Sequence, residues 1–223
     1  MIGDTHLNCK YTREDLLNSA YKQFKKENVD LIFHTGDLDD GEDMHRGHVY
    51  ELQRHGFDDH KNHIIAEYPL IPGMHTYIIS GNHDLSFMKS GGADIVKAIA
   101  KERNDFIYLG QQEADIKIRD VTVRLSHPGK GSAYAISYQP QKQVESISGG
   151  KKPNILYIGH YHKMEYLFYR NVNIIQTGTL CEQTPWMRER NLSAHLGFRI
   201  DDIHFKKDGT IDKIVSQIFP FYD

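Results

Sequence analysis

Residues 76–84 read Thr76-Tyr77-Ile78-Ile79-Ser80-Gly81-Asn82-His83-Asp84. The first five predict a short buried strand from their β-branched and aromatic content. A glycine and three polar side chains follow it at once. Sites in α/β sheets lie just beyond the carboxyl ends of the strands, so Asn82, His83 and Asp84 stand where chemistry is expected. The same pattern recurs on either side. Val29-Asp30-Leu31-Ile32-Phe33-His34 predicts a strand that delivers Gly36-Asp37 and, three residues on, Asp40. Val121 to Leu125 leads to Ser126-His127, and Ile155-Leu156-Tyr157-Ile158 leads to Gly159-His160-Tyr161-His162. Near the start, Asp4-Thr5-His6 follows Met1, Ile2 and Gly3.

Asp4, His6, Asp37, Asn82, His127, His160 and His162 thus form an ordered set of carboxylate, amide and imidazole groups. Such a mixture suits borderline divalent ions, with Mn favoured and Fe or Zn also compatible. The set is too large for one ion but serves two if Asp37 is shared. Two ions about 3.5–4 Å apart clamp the attacking and leaving oxygens of a phosphoryl transfer. On an extended chain Asp4 and His6 face one side, as do His160 and His162. Taken singly, an Asp after a Gly caps a turn and a lone His packs in a core. The ordered set has no such ordinary explanation.

Asp-x-His, Gly-Asp-x-x-Asp, Gly-Asn-His-Asp, a lone His and Gly-His-x-His, in that order from residue 3 to about residue 180, resemble the calcineurin-like metallophosphoesterase family. The resemblance implies an α/β fold, a four-layer sandwich of two mixed β-sheets flanked by helices. It implies one ion held by Asp4, His6, Asp37 and His162, and a second by Asp37, Asn82, His127 and His160. It also implies that His83 protonates the leaving oxygen or stabilises the transition state, oriented by Asp84. An imidazole beside a carboxylate is chemically apt for that task. Direct hydrolysis by a metal-bound water is the expected reaction, with a phosphodiester of nucleic acid or nucleotide favoured. Two alternatives stay open on the sequence. One is a phosphomonoesterase or pyrophosphatase acting on a small metabolite; the other is a non-catalytic subunit of a larger complex.

The 223-residue chain is long enough for one domain with a proper core. A net charge of −3 gives no global basic field for nucleic acid. No apolar run approaches the roughly 18 residues of a membrane span, and two cysteines offer no disulfide framework. A cytoplasmic setting and no membrane partner are expected; the oligomeric state is not legible. Only three residues precede Asp4, fewer than the usual strand of about five or six. The expectation is therefore a single domain over 1–223 with a shortened first strand, and native residues upstream of Met1 fit that picture.

Outside the motifs, residues 14–26 carry a helical stripe of Leu16, Leu17, Ala20, Tyr21 and Phe24, with Thr12 as the expected N-cap. Residues 41–67 predict one or two helices; a pair such as His45 and His48, at i and i+3, could chelate a third ion, but the many histidines are read in preference as a polar, partly solvated surface. Helices are expected over about 93–102 and 133–148, the latter bent or begun by Pro140. Hairpins are expected around Asp120, Arg170-Asn171 and Lys207-Asp208-Gly209. Two loops are candidates for substrate recognition. Lys130 and Tyr134 follow ligand His127 in a glycine-containing stretch. Trp186, Arg188 and Arg190 lie beyond the last motif, where an aromatic face and two guanidinium groups suit a base and a phosphate; Trp186 reads equally well as an ordinary edge-packing residue. The run from Gly178 to Thr184 also bears a faint likeness to the small subunit of archaeal family-D DNA polymerases.

Overall fold

A computed structural model describes residues 1–129, 131 and 134–222. Helix α1 (Glu14–Lys26) buries Leu16, Leu17, Ala20, Tyr21 and Phe24, the stripe its spacing predicts. Glu14 and Asp15 in its first turn and Lys25 and Lys26 in its last complement the helix dipole. Its N-cap is Arg13 rather than Thr12. The Thr12 hydroxyl instead donates to the carbonyl of His6, tying the first motif to the start of the helix.

Strands β1 (Ile32–His34), β2 (Thr76–Ser80) and β3 (Phe106–Gln111) form a parallel sheet in that order. Between β1 and β2 lie a 3₁₀ turn (His48–Glu51) and helix α2 (Phe57–Glu67); between β2 and β3 lie α3 (Ser86–Gly91) and α4 (Ile95–Glu102). The second sheet contains β4 (Glu113–Ile118), β5 (Val121–Ser126), β6 (Ile155–Ile158), β7 (Met164–Tyr169) and β8 (Val172–Thr177). Its order is β4-β5-β6-β8-β7, with β5, β6 and β8 parallel and antiparallel strands at both edges. Helix α5 (Tyr138–Ser146) precedes β6, and α6 (Pro185–Glu189) follows β8. An antiparallel ribbon of β9 (Gly197–Phe205) and β10 (Ile211–Pro220) closes the chain. Met1 and Ile2 link that ribbon to the first sheet: Ile2 bridges in parallel to His34. The Met1 amino group donates to the Arg199 carbonyl at 2.8 Å, and Arg199 N–H donates back to Met1 at 3.2 Å.

Strand alternation sorts neighbouring residues into different layers. Ile32 and Ile78 face α1 and α4 in one core, together with Phe24, Ile95 and Ile99. Their neighbours Phe33 and Ile79 point the other way, into a core shared with Val123, Leu125, Tyr157 and Ile175 of the second sheet. On the far face of that sheet, Leu156, Ile158 and Ile174 pack against Val144 of α5. Helices, sheet, sheet and helix therefore stack as four layers.

Three local expectations need correction. Residues 185–189 are helical rather than loop: Thr184 caps the turn by accepting from Met187 N–H at 3.3 Å, and Pro185 starts it with its fixed φ. Helix α5 begins at Tyr138, so Pro140 falls in the first turn, where no intrahelical amide donor is required. Residues 86–91 add a short helix directly after the Gly-Asn-His-Asp turn. Among the described residues no helix is long and apolar enough to cross a membrane.

Candidate metal centre

The ligand-bearing turns lie at the carboxyl ends of strands from both sheets: Asp37 beyond β1, Asn82 beyond β2, His127 directly after β5, and His160 and His162 beyond β6. Asp4 and His6 follow Ile2, which pairs beside β1. Glycines let these turns approach one another. Gly36 has φ +93°, and a Cβ there would stand 2.8 Å from His127 Nδ1; a Cβ on Gly81 would collide with Asp37 Oδ1. Asp4, His6, Asp37, His160 and His162 themselves hold φ between 47° and 76°, in the left-handed region. Each such position costs about 1–3 kcal/mol and persists only where the surroundings dictate it.

Four groups of candidate ligand atoms result among the described residues; two of them include His83, with His6 and Asp37 or with Asp40 and His48, and the other two gather the expected ligands. Asp4, His6 and His162 form one; Asp37, His127 and His160 form the other. In the first, His6 Nε2 lies 3.0 Å from His162 Nε2 and 3.8 Å from Asp37 Oδ2, while His162 Nε2 is 3.8 Å from Asp4 Oδ1. In the second, His127 Nε2 lies 3.0 Å from both Asp37 Oδ2 and Asn82 Oδ1, and His160 Nδ1 is 2.8 Å from Asn82 Oδ1. Asp37 therefore borders both groups. The two Asp4 oxygens accept from His160 N–H at 2.8 and 3.0 Å, which fixes that carboxylate against the last motif.

The hydrogen-bond partners decide which ring atoms carry lone pairs. His127 Nδ1 donates to the Thr35 carbonyl at 2.8 Å, and His6 Nδ1 donates to Asp40 Oδ1 at 2.9 Å. A neutral imidazole with a protonated Nδ1 offers a lone pair at Nε2. In neutral His127 that lone pair meets two oxygen acceptors, and in neutral His6 it meets a second imidazole nitrogen. The acceptors that face each other at His127 call for a cation or a proton between them, and this donor set fits a divalent ion. Without one, protons take over part of that role. Burial opposes a charge on His127, yet the adjacent Asp37 carboxylate raises its pKa to about 9. Burial likewise pushes Asp37 up, but His127 and His83 outweigh it and hold the carboxyl well below its usual range. Burial raises Asp4 to about 6 and, with the field of His127, lowers His160 to about 3.

His83 stands beside this pair of groups with 22 % of its side chain exposed. Its N–H donates to Asp37 Oδ1 at 2.8 Å, and its Nδ1 donates to the Asp40 carbonyl at 2.6 Å, with Asp40 Oδ1 3.4 Å away. The expected orientation of His83 by Asp84 is therefore corrected. Asp84 accepts from the main-chain N–H groups of Leu38, Asp39 and Gly81 at 3.2, 2.8 and 2.8 Å, so it clamps the second and third motif turns together. The sequence placed Asp84 next to His83, but the turn points their side chains to different partners. Asp40 is the residue that engages His83 and His6. Its only sequence signal was its place in Gly-Asp-x-x-Asp.

Two of the histidines of 41–67 also differ from expectation, whereas His55 is exposed and His45 and His63 are partly so. His48 and His60 are buried, not solvated, and pair with Asp40 at 3.1 Å and Asp39 at 2.8 Å. Among the substrate candidates, Lys130 lies outside the described residues. Tyr134 is fully exposed. Trp186 stacks on His45 with ring centroids 5.4 Å apart, and the Arg190 guanidinium sits 4.4 Å from the Trp186 ring. Arg188 donates to the Gln183 carbonyl at 2.7 Å and lies over the Tyr11 ring.

This fold and this centre define a class, and comparison with known proteins agrees. The chain belongs to the calcineurin-like phosphoesterase superfamily, whose domain model matches residues 1–192. Among solved structures it is similar to an archaeal phosphodiesterase, at 12 % identity and a TM-score of 0.54, over 98 % of this chain and 97 % of that one. It is also similar to zinc-complexed Vps29 of Entamoeba histolytica, at 14 % identity and a TM-score of 0.49, over 99 % and 97 %. At such identities the likeness is one of fold. A search of curated proteins finds no match by sequence.

Proposed function

We propose that the chain is a binuclear metal-dependent phosphodiesterase acting on nucleic acid or nucleotide. The observation that carries the reading is Asp37, whose carboxylate borders both groups of convergent lone pairs, with His83 held beside them. Asp4, His6, Asp37 and His162 would hold one ion, and Asp37, Asn82, His127 and His160 the other, with Mn²⁺ favoured by the mixed oxygen and nitrogen set. Bound ions lower the pKa of a coordinated water and neutralise charge developing on the phosphoryl oxygens. Burial opposes a charge on His83, yet the Asp37 and Asp40 carboxylates raise its pKa to about 10, so the ring is protonated at both nitrogens: Nδ1 donates to the Asp40 carbonyl and Nε2 carries the proton for the departing oxygen. Trp186, Arg188 and Arg190, with Lys130 and Tyr134, are the proposed contacts to the rest of the substrate. The buried free thiols of Cys9 and Cys181 suit the reducing cytoplasm that we propose as its compartment.

The test is a metal-supplemented screen of bis-para-nitrophenyl phosphate, the corresponding monoester, and labelled single- and double-stranded DNA and RNA. Mn²⁺-dependent turnover of the diester and of a nucleic acid is expected. Turnover of the monoester alone would shift the reading to a phosphomonoesterase. Metal uptake without turnover of any substrate would favour a non-catalytic subunit.

A further inference from the structure

His48 comes from the segment between β1 and β2 and is 2 % exposed. Met44 N–H donates to its Nδ1 at 3.5 Å, so in neutral His48 the proton lies on Nε2, which donates to Asp40 Oδ2 at 3.1 Å. The other end of the same carboxylate serves the metal centre: Oδ1 accepts from His6 Nδ1 at 2.9 Å and lies 3.4 Å from His83 Nδ1. A carboxylate bonded at one oxygen only can swing about its terminal torsion, which is broad and nearly two-fold. Bonds to both oxygens fix its plane. A buried Oδ2 without a donor would also carry the full cost of desolvation.

What holds His48 is itself visible. Its ring meets that of His45 at 4.9 Å in an edge contact, and His45 in turn stacks under Trp186 of α6. We propose that His48 is a positioning residue. It locks the Asp40 carboxylate so that His6 would present its Nε2 to an ion, and it keeps the carboxylate charge beside the His83 ring, whose Nδ1 is held by the Asp40 carbonyl. Groups one shell beyond metal ligands commonly act in this way. The kinetic part of this proposal rests on the phosphodiesterase reading; the metal-binding part does not.

The experiment compares the full chain with His48→Phe, which keeps a ring but removes the donor, and His48→Gln, which restores an N–H at similar reach. His60→Ala serves as control, because His60 is equally buried but bonds Asp39 and the Arg54 carbonyl. Calorimetric titration of each metal-free protein with Mn²⁺ alone should show a loss of about 10–100-fold in affinity for His48→Phe. His48→Gln should stay within a few-fold of wild type, and His60→Ala should lose thermal stability without that affinity loss. In turnover, His48→Phe should lose at least about tenfold more on a dinucleotide, whose leaving group needs a proton, than on an activated aryl diester. Wild-type Mn²⁺ affinity in His48→Phe, or an equal affinity loss in His60→Ala, overturns the proposal. If His48→Phe does not fold, His48→Leu, which also lacks the donor, takes its place, and wild-type Mn²⁺ affinity in His48→Leu overturns the proposal. A wild-type protein inactive on both diesters would overturn the phosphodiesterase reading, and the Mn²⁺ affinities alone would then decide the role of His48.

Discussion

At the scale of single residues, the centre separates groups that bind from groups that orient. His83→Asn should keep metal content and fold while cutting turnover by about 10²–10⁴, the usual range for a general acid–base group. An activated leaving group should restore part of the loss; loss of metal instead would make His83 a ligand. Asp84→Asn should behave in the opposite way. It places an amide donor where three main-chain N–H groups converge, so a thermal-melt loss of about 1–3 kcal/mol is expected. Unchanged stability would contradict the clamp. The candidate ligand positions stand out in the sequence because a glycine and a polar side chain follow apolar runs in Gly36-Asp37, Gly81-Asn82 and Gly159-His160. The orienting residues were not, since nothing in the chain places His48 or His6 beside Asp40 before the turns fold together. The buried Arg199, which donates to the Glu165 carbonyl at 3.1 Å and to Ser216 Oγ at 2.7 Å, is equally invisible without the tertiary structure.

At the scale of elements, long periodic segments were the most readable. The stripe in α1 and the apolar run of β2 appear where they were expected, because their patterns match their periods. Strand β1 is shorter than its apolar run, and α3 and α6 went unread, because helices of five or six residues show too little periodicity. α6 was legible only through Thr184-Pro185, a cap-and-start pair without a following stripe. The helix now frames the substrate question. Trp186→Ala combined with Arg188→Ala should raise KM for an oligonucleotide and spare bis-para-nitrophenyl phosphate, given about 1–3 kcal/mol per stacked base. Equal losses on both would show that the Trp186–His45 stack braces the centre instead of reading the substrate.

At the scale of the whole molecule, protons and metal compete for one centre. His127 has its pKa raised to about 9 by Asp37, so in the metal-free protein its contribution to stability is complete below its unfolded value of about 6.5. That contribution is lost as pH rises through about 9. Metal binding needs the neutral ring, so affinity should rise over the same interval. The increase in melting temperature on adding Mn²⁺ should therefore be larger at pH 8.5 than at pH 6.5, with the bound form stabilised by mass action. An increase independent of pH would mean that His127 is not a ligand. The stacking of two sheets was expected from the family resemblance and agrees with helices between the strands of the first half and hairpins in the second, whereas the attachment of β9 through Met1 was not legible.

The turns that carry the ligands belong to both sheets, with Asp37 and Asn82 beyond strands of the first and His127, His160 and His162 beyond strands of the second. Ions held there would rivet one half of the sandwich to the other at the end where the turns meet. The seam between the sheets is then a place where the chain can part when the rivet is withdrawn. A chelator should speed amide hydrogen exchange in the turns after β1, β2, β5 and β6 while leaving the α1 core protected, so that this end loosens before the molecule melts.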